Sequence, residues 1–508
     1  MRIANEWKAL QLHKDKGWII AGVVVLVALS LFVHSALKPK HKPNIVLILI
    51  DDLGYGDVRA NFSEGKIETP HIDALAARGM RFTDAHSGTA VCGPTRYGLL
   101  TGQHFSRQNW DRVRTSLWSS MIDDDRLTLP ELLRANGYHT GAFGKWHLGQ
   151  TFYHSDGKPS GPDLKTDWSH AITGGPLDRG FDVFFGVLFT HAQNLLALVS
   201  GRRVTVVPTE AVGNWPKSEG YEPVDAMPAI TEHALEYIDW NVRERPGEPF
   251  FMYLPAIAIH GPLFPAPEFL GKSKVGLYGD YVMQVDAIVG EIVSSLESHG
   301  ILDDTLIIFT SDNGSDGRAG NESLKKFPFG SVQTLYGHKM NGNWRGVKGS
   351  MYEGGHRVPF IASWPGHIEA GAVSDELILL EDLMATFAAI IGVDLPPHSA
   401  EDSYNILPYL EGTHWGSPIR KYAVISTFNG DPIVRKGKWV LSFGLGPGSQ
   451  FTRNWEPKPG GPKGQLYDLE ADPGESKNLW LQYPDVVAEM TALYNAHVAR
   501  GSSFGIAR

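Results

Sequence analysis

The stretch Asn44-Ile-Val-Leu-Ile-Leu-Ile50, followed at once by Asp51 and Asp52, decides the fold. A continuous aliphatic run of this length is typical of a strand that is buried on both faces of a parallel sheet. Ligands of open α/β sheets bind outside the carboxyl ends of the strands, where these two carboxylates stand. The run therefore predicts both the architecture and the position of a functional site.

Two other stretches repeat this arrangement. Thr305-Leu-Ile-Ile-Phe-Thr310 is followed by Asp312 and Asn313, and Phe250-Phe-Met-Tyr-Leu254 leads towards His260. Because the carboxyl ends of neighbouring parallel strands meet at one edge of a sheet, we expect these polar side chains to converge on one site.

Helical periodicity fills the intervals between the strands, so the predicted fold class is α/β. The predicted helices are Pro70–Arg78 with Thr69 as N-cap, Leu129–Asn136, Tyr281–His299 and a last one around Asp485–Arg500. Short strands at Tyr422–Ser426 and Trp439–Ser442 indicate a small C-terminal α+β part. The expected boundaries are 1–42 for an N-terminal segment, 43–412 for the site-bearing domain and 413–508 for a C-terminal subdomain.

The composition sets limits on function. A chain of 508 residues with 42% hydrophobic residues is long enough to bury a large core. Its formal net charge of -10 argues against general nucleic-acid binding, because neutralising a phosphate backbone calls for a basic surface.

The N-terminal segment predicts export. Gly17–Leu37 carries no Asp, Glu, Lys or Arg and follows Lys14 and Lys16, and such a helix is long enough to span a bilayer. Small residues before Ala36 also allow cleavage as a signal peptide, so membrane anchor and signal peptide both stand. One cysteine excludes internal disulfides and favours a bacterial periplasm or surface, free or membrane-anchored, as the location.

The single cysteine lies in Ala90-Val-Cys-Gly-Pro-Thr-Arg-Tyr-Gly-Leu-Leu-Thr-Gly102. Pro94 suits a first helical turn, which places Cys92 at a helix N-terminus. The free N–H groups of that end suit an anion, and Arg96, one turn on, shares the face of Cys92. The plainer alternative is a small buried core residue, which many free cysteines are.

Cys92-Gly-Pro-Thr-Arg96 resembles the C-x-P-x-R signature of the sulfatase family, within the alkaline-phosphatase superfamily. The resemblance implies an alkaline-phosphatase-like fold with a large mixed, mostly parallel sheet flanked by helices. It also implies oxidation of Cys92 to formylglycine by a formylglycine-generating maturation enzyme. The hydrated aldehyde would offer one hydroxyl to attack sulfur and a second that later helps to expel sulfate. Arg96 would stabilise the developing charge.

Gly144-Lys-Trp-His-Leu-Gly149 resembles a second motif of the family. The resemblance implies that Lys145 neutralises charge on the sulfate and that His147 accepts a proton during sulfate release. His260, in Ile259-His-Gly-Pro262, resembles the family histidine that protonates the departing alcohol. A histidine side chain suits proton transfer near neutral pH.

Further matches extend the resemblance from about residue 44 to 479. Asn343-Trp-Arg-Gly-Val-Lys-Gly-Ser-Met-Tyr-Glu-Gly-Gly-His-Arg-Val-Pro359 matches the stretch in which Lys348 would hold the sulfate, and Leu466–Leu479 also resembles the family. Thr190 occupies a place where some relatives use a serine near the sulfate; a plain packing role is the equal alternative.

A metal site follows from the strand-end residues. Hard oxygen ligands suit Ca2+ or Mg2+, and the resemblance to sulfatases favours Ca2+. The expected metal-site residues are Asp51, Asp52, Cys92, Asp312 and Asn313. An Asp-Asp pair alone is more often a turn or a helix cap, but two strand-terminal pairs in the family's order favour the metal.

The expected substrate is a sulfated carbohydrate, which an exported bacterial sulfatase would trim. Two alternatives stay open: a phosphate or phosphonate monoester hydrolase of the same superfamily, and a non-catalytic protein that binds sulfated glycans. A wall for an anionic sugar is one interpretation of a basic, aromatic stretch, with solvated surface as the other. That stretch contains Arg107, Trp110, Arg112, Arg114 and Trp118.

Overall fold

The computed structural model describes residues 42–108, 118–317, 331–449 and 455–499. Its strands are β1 (Asn44–Ile50), β2 (Met80–Phe82), β3 (Ala85–His86), β4 (His139–Lys145), β5 (Phe152–Tyr153), β6 (Pro159–Ser160), β7 (Val183–Val187), β8 (Val199–Ser200), β9 (Arg203–Val204), β10 (Pro208–Val212), β11 (Trp215–Ser218), β12 (Phe250–Pro255), β13 (Thr305–Ser311), β14 (Phe360–Ser363), β15 (Ala372–Ser374), β16 (Ile378–Leu379), β17 (Ala423–Ser426), β18 (Pro432–Lys436), β19 (Trp439–Ser442) and β20 (Gln465–Asp468).

The α-helices of the described residues are α1 (Pro70–Ala77), α2 (Cys92–Thr101), α3 (Leu129–Ala135), α4 (Pro223–Glu244), α5 (Gly276–Ser298), α6 (Ser331–Tyr336), α7 (Glu353–His356), α8 (Leu383–Ile391), α9 (Leu407–Leu410) and α10 (Pro484–Ala499). Short 3-10 helices cover Tyr55–Asp57, Phe105–Arg107, Pro176–Arg179, Pro267–Phe269 and Leu380–Asp382.

A ten-stranded sheet forms the centre of the fold, in the order β15-β2-β14-β13-β1-β12-β4-β7-β8-β9. The strands from β13 to β7 run parallel, whereas β14 joins β13 antiparallel and β8 and β9 close the other side antiparallel. The predicted α/β class with a mixed, mostly parallel sheet is confirmed.

Strand β1 supplies both cores because successive side chains of a strand point to opposite faces. Ile45, Leu47 and Leu49 pack in one hydrophobic cluster, which also contains apolar residues of α2, α3 and α8. Val46 and Ile48 pack in the other, with residues of α1, α4 and α5. Helices thus cover both faces of the sheet, which explains why the strand sequence is aliphatic throughout.

The predicted element bounds hold to within one residue, with one exception. Strand β1 has the predicted ends, and the predicted helix at Tyr281–His299 begins earlier, at Gly276. Thr69 stands at the N-cap of α1, but its side chain makes no cap hydrogen bond. Its hydroxyl instead contacts Asp73 at 3.1 Å and accepts from the Arg59 N–H at 3.1 Å.

A four-stranded antiparallel sheet, β17-β18-β19-β20, lies in the C-terminal part, as the sequence predicts. Val434, Leu441 and Leu466 pack on one of its faces with Met490 of α10. The opposite face shares a cluster with Met351 and other residues that precede the sheet in the chain. The boundary at residues 412 and 413 stays a prediction.

The apolar stretch Gly17–Leu37 lies outside the described residues, so the choice between anchor and signal peptide stays open. Among the residues that are described, no helix is both long and apolar enough to cross a membrane.

Replacing Leu47 with alanine tests the two-sided burial of β1. Leu47 is fully buried, so Leu47→Ala should lower the free energy of unfolding by about 2–5 kcal/mol, the cost of lost burial plus a cavity. Val373→Ala on edge strand β15 is the control, because Val373 is 54% exposed and should change stability by no more than about 0.5 kcal/mol. Denaturant unfolding compares the two, and equal effects would contradict the assignment of β1 to the centre.

Candidate active site

The strand-end carboxylates meet as predicted. Ile50 and Ser311 are paired in the parallel register of β1 and β13, so Asp51 and Asp312 leave the sheet side by side. The Asp52 N–H donates to Oδ1 of Asp312 at 3.2 Å, and Asp52 adopts a positive φ of 66°. All three carboxylates are buried.

Cys92 is the first residue of α2, as its sequence context predicts, and is 4% exposed. Arg96, one turn on, lies on the same side and is fully buried. Its Nε and Nη2 donate to Oδ2 of Asp312 at 3.0 and 2.7 Å, and its Nη1 donates to the carbonyl of Lys145 at 2.7 Å. Arg96 thereby joins the cysteine helix to the ends of β13 and β4.

Each of the two lysines is paired with a carboxylate. Lys145 Nζ donates to Oδ2 of Asp51 at 2.6 Å. Lys348 Nζ lies 2.6 Å from Oδ1 of Asp52 and 2.9 Å from its Oδ2. Asn313 Nδ2 donates to Oδ1 of Asp52 at 2.8 Å. The site is therefore a compact array of alternating negative and positive groups.

Several atoms of this array fit a divalent cation. Ligand atoms of Asp51, Cys92 and Asp312 lie within 4.8 Å of one another, as do those of Asp51, Asp52 and His260. Among the described residues, Oδ1 of Asp51 and Oδ1 of Asn313 are buried without a hydrogen-bond partner. Buried oxygens of this kind need a partner, and oxygen donors are the ligands that Ca2+ and Mg2+ prefer.

The electrostatics point the same way. Burial raises the pKa of Asp51, but the positive charges around it, Lys145 first and then His260, Arg96 and Lys348, together lower it more, so that the net pKa lies well below the usual range. Burial raises the pKa of Asp52 well above its usual range even against Lys348, and burial together with the charge of Asp51 raises the pKa of Asp312 to about 7. Burial and neighbouring negative charge disfavour the ionised forms of Asp52 and Asp312, and a bound cation would favour those forms by offsetting the crowded negative charge.

The two predicted histidines also reach the site. His147 has a positive φ of 55°, and burial followed by the charge of Lys145 lowers its pKa well below the usual range. His260 Nδ1 donates to the carbonyl of Gly261 at 2.6 Å, which leaves Nε2 unprotonated, 3.9 Å from Oδ2 of Asp52. Burial and then Lys348 lower the pKa of His260.

The Cys92 thiol is electrostatically activated. Burial raises the pKa of the thiol, but the positive charges of Lys145, Lys348 and Arg96 together lower it by more, so the net shift is downward. Thr190 is 7% exposed, and its hydroxyl has no partner within the described part of the chain. Its role near the sulfate stays a prediction.

The proposed sugar wall does not form around Arg107. Arg107 Nε and Nη2 each donate to a carboxylate oxygen of Asp402 at 2.6 Å, so the guanidinium is committed to an internal ion pair. Trp118 is 47% exposed, whereas Trp110, Arg112 and Arg114 lie outside the described residues.

Sequence reasoning missed two groups that support the site. Asp57 accepts from Tyr278 Oη at 2.5 Å, from His338 Nε2 at 2.7 Å and from the Gly54 N–H at 2.8 Å, and so holds the loop after Asp52. His191 contacts the loop that carries His260. Asp57 follows the aspartate pair closely enough to be suspected, but its partners are remote in sequence.

A second cluster of metal-ligand residues, His86, Glu353 and His356, is engaged in contacts within the protein. The Nδ1 atoms of the two histidines hydrogen-bond at 2.9 Å. Arg357 Nε donates to Glu353 at 2.7 Å, and Arg435 Nε lies 2.9 Å from its other oxygen. Burial raises the pKa of Glu353, but Arg435 and then Arg357 lower it to about 2. We assign this cluster a structural role that joins β18 to α7.

Acidic, basic and nucleophilic groups converge at the carboxyl ends of a largely parallel sheet, an arrangement that fits a hydrolase of anionic esters with the predicted alkaline-phosphatase-like architecture. The sequence profile of the Sulfatase family matches residues 43–393, and the chain belongs to this family. It is a sulfuric ester hydrolase, which favours the predicted sulfatase over the phosphoester and non-catalytic alternatives.

Relatives extend over most of the chain. An N-acetylgalactosamine-6-O-sulfatase of Bacteroides thetaiotaomicron is 32% identical over 496 residues, covering 89% of this chain and 92% of the relative. Human arylsulfatase A is 31% identical over 486 residues, with 89% and 86% covered. A solved structure from work on glycosaminoglycan metabolism by Bacteroides thetaiotaomicron superposes with a TM-score of 0.78 at 32% identity, covering 91% of this chain and all of the other.

Gly144→Ala tests how β4 delivers Lys145. Gly144 has a φ of 135°, and a Cβ there would overlap the carbonyl oxygen of Pro255, so the strand end must move. Gly366→Ala is the matched control, since Gly366 also has a positive φ of 78° but open space around it. The control should lose about 1–2 kcal/mol of stability for backbone strain alone.

Gly144→Ala should lose at least about 1 kcal/mol more, from overpacking, and most of its sulfatase activity. Denaturant unfolding and sulfate release measure the two effects. Equal losses in both variants would contradict a tight approach of β4 to β12.

Proposed function

We propose that this chain hydrolyses sulfate esters of carbohydrates, using formylglycine derived from Cys92 and a bound divalent cation, Ca2+, with Mg2+ as the alternative. The observation that carries the proposal is the position of Cys92 at the first turn of α2, where its sulfur and the carboxylates of Asp51 and Asp312 lie within 4.8 Å. A reactive residue at that position faces both a helix N-terminus and the cation ligands.

The names of the relatives support the substrate class. One relative is an N-acetylgalactosamine-6-O-sulfatase and another an arylsulfatase. N-acetylgalactosamine 6-O-sulfate is therefore the first substrate to test, and a small aryl sulfate is the comparison.

The cation would be held by Asp51, Asp52, Asp312 and Asn313 together with the residue derived from Cys92. When bound, it supplies positive charge that holds a sulfate oxygen and stabilises charge in the transition state. The orphaned oxygens of Asp51 and Asn313 support this ligand set.

Formylglycine, once formed and hydrated, supplies the nucleophile. The protein's own residues position the substrate: Lys145 and Lys348 neutralise the sulfate oxygens, and Arg96 fixes the helix that carries position 92. His147 accepts a proton during sulfate release, and His260 donates one to the departing alcohol. A bound sulfate anion offsets the charge of Lys348, which favours the protonated form of His260.

Export and maturation belong to the same proposal. The uncharged stretch Gly17–Leu37 after basic residues supports export to a bacterial periplasm, free or membrane-anchored. Because Cys92 is 4% exposed in the fold, a formylglycine-generating enzyme would have to act on the chain before it folds.

Co-expression with a formylglycine-generating enzyme, followed by assay of inorganic sulfate release, tests the chemistry. The expected result is release from N-acetylgalactosamine 6-O-sulfate, with Cys92→Ala reduced to background because it cannot form the aldehyde. Mass spectrometry of the Cys92 peptide confirms the modification, and circular dichroism confirms that the variant folds.

Three results would count against the proposal. Faster hydrolysis of the matching phosphate ester would favour the phosphoesterase alternative. Retained activity in Cys92→Ala would remove the nucleophile from the mechanism, and equal turnover of sugar and aryl sulfates would remove the carbohydrate preference.

Removal of the metal should lower both activity and stability. A chelator should reduce the thermal midpoint, and Ca2+ should restore it, since a ligand present at a hundredfold its Kd adds about 2.7 kcal/mol to the folded state. Asp51→Asn should lose this calcium-dependent shift. Asp402→Asn is the control, because Asp402 is a buried carboxylate paired with Arg107 away from the site, and it should keep the shift. A full shift in Asp51→Asn would contradict the ligand assignment.

A further inference from the structure

His191 braces the loop that carries His260. Its Nε2 lies 2.9 Å from the carbonyl oxygen of Pro262. A carbonyl only accepts hydrogen bonds, so Nε2 carries the proton and Nδ1 presents a lone pair. The ring is fully buried, and Nδ1 has no partner among the described residues.

Both the backbone and the ring of His191 make further contacts. Tyr221 Oη donates to the His191 carbonyl at 2.7 Å, and the ring of Phe264 meets the imidazole edge-to-face at 88° with a centroid distance of 5.6 Å. Burial lowers the pKa of His191 to about 4, so the imidazole is neutral near pH 7 and its tautomer is fixed by Pro262.

The segment just before His191 also contacts the other active-site histidine. The N–H groups of Trp146 and His147 donate to the carbonyls of Val187 and Leu188 at 2.9 and 3.1 Å. Residues 187–191 therefore connect the backbone of His147 to the loop of His260.

The orientation of His260 depends on that loop. His260 Nδ1 donates to the carbonyl of Gly261 at 2.6 Å, and Pro262, the next residue, accepts from His191. A displacement of Pro262 would move the Gly261 carbonyl and rotate the imidazole, taking Nε2 out of line with the reacting ester.

We propose that His191 is a positioning residue for the reaction: its hydrogen bond to Pro262 fixes the loop whose carbonyl orients His260 towards the leaving oxygen. The inference rests on the proposed function, in which His260 protonates the departing alcohol. His191 itself touches neither the substrate nor the cation.

The inference predicts a dependence on the leaving group. A sugar alkoxide is a poor leaving group and needs a well-aligned proton donor, a contribution of about 10²–10⁴-fold in rate. The 4-nitrophenolate ion is a good leaving group and needs little protonation. Misaligning His260 should therefore slow the sugar sulfate selectively.

Steady-state kinetics of His191→Phe and His191→Gln test this. Phenylalanine preserves the ring but removes the donor, and glutamine places an amide N–H near the original Nε2. With N-acetylgalactosamine 6-O-sulfate, kcat of His191→Phe should fall roughly 10- to 100-fold at a KM changed by less than about threefold, as part of the general-acid contribution is lost. With 4-nitrophenyl sulfate, kcat should change by less than about threefold, and His191→Gln should recover most of the loss.

His139→Phe is the control, since His139 is a buried histidine at the start of β4 that bonds Asn241 outside the site. It should leave the ratio of the two substrates unchanged. If His191→Phe does not fold, Tyr221→Phe carries the test, because it frees the His191 backbone and should give a smaller loss confined to the sugar sulfate.

Parallel losses on both substrates, or a His191→Gln no better than His191→Phe, would overturn the positioning role while leaving the proposed function intact. Absence of sulfate release by the wild-type protein from both substrates would instead overturn the proposed function and this inference with it.

Discussion

Three carboxylates buried at adjoining strand ends each need a positive partner, and this requirement holds the active site together. Removing an ion from water costs several kcal/mol even after relaxation, and an uncompensated partner left behind is strongly destabilising. The pairs are Asp51 with Lys145, Asp52 with Lys348, and Asp312 with Arg96. No residue of these three pairs can move far, because its partner would then be a buried charge without compensation.

The positive partners come from different parts of the chain, so the site forms only when the whole body is folded. Arg96 lies on α2, Lys145 ends β4, and Lys348 stands on a loop before α7. That loop is itself fixed from two sides, since the Gly349 N–H donates to the Ala90 carbonyl at 2.7 Å and the Met351 N–H to the Pro447 carbonyl at 2.8 Å. Lys348 is thus supported by the C-terminal part of the chain.

The sequence was most informative where local pattern and tertiary role coincide. The bounds of β1 follow from its aliphatic run, because burial on both faces of the sheet requires apolar residues throughout. The helix start at Cys92 follows from Pro94, because proline is favoured in a first helical turn. Arg107 departs from expectation because its partner, Asp402, is remote in the sequence. Thr69 departs because its hydroxyl binds Arg59 and Asp73 instead of capping the helix. His191 carries no local sequence signal, since its role depends on a hydrogen bond to the carbonyl of Pro262, 71 residues further along the chain.

The ion pair between Glu353 and Arg435 has an evolutionary consequence. Arg435 lies on the C-terminal sheet, while Glu353 belongs to the motif that also contains Lys348, and both side chains are buried. Exchanging that sheet for an unrelated module would leave Glu353 paired with Arg357 alone and its Oε1 without an ion-pair partner inside the body, which is unfavourable for a buried charge. The two parts therefore depend on each other, and a C-terminal sheet taken from elsewhere would have to supply a cation at the position of Arg435.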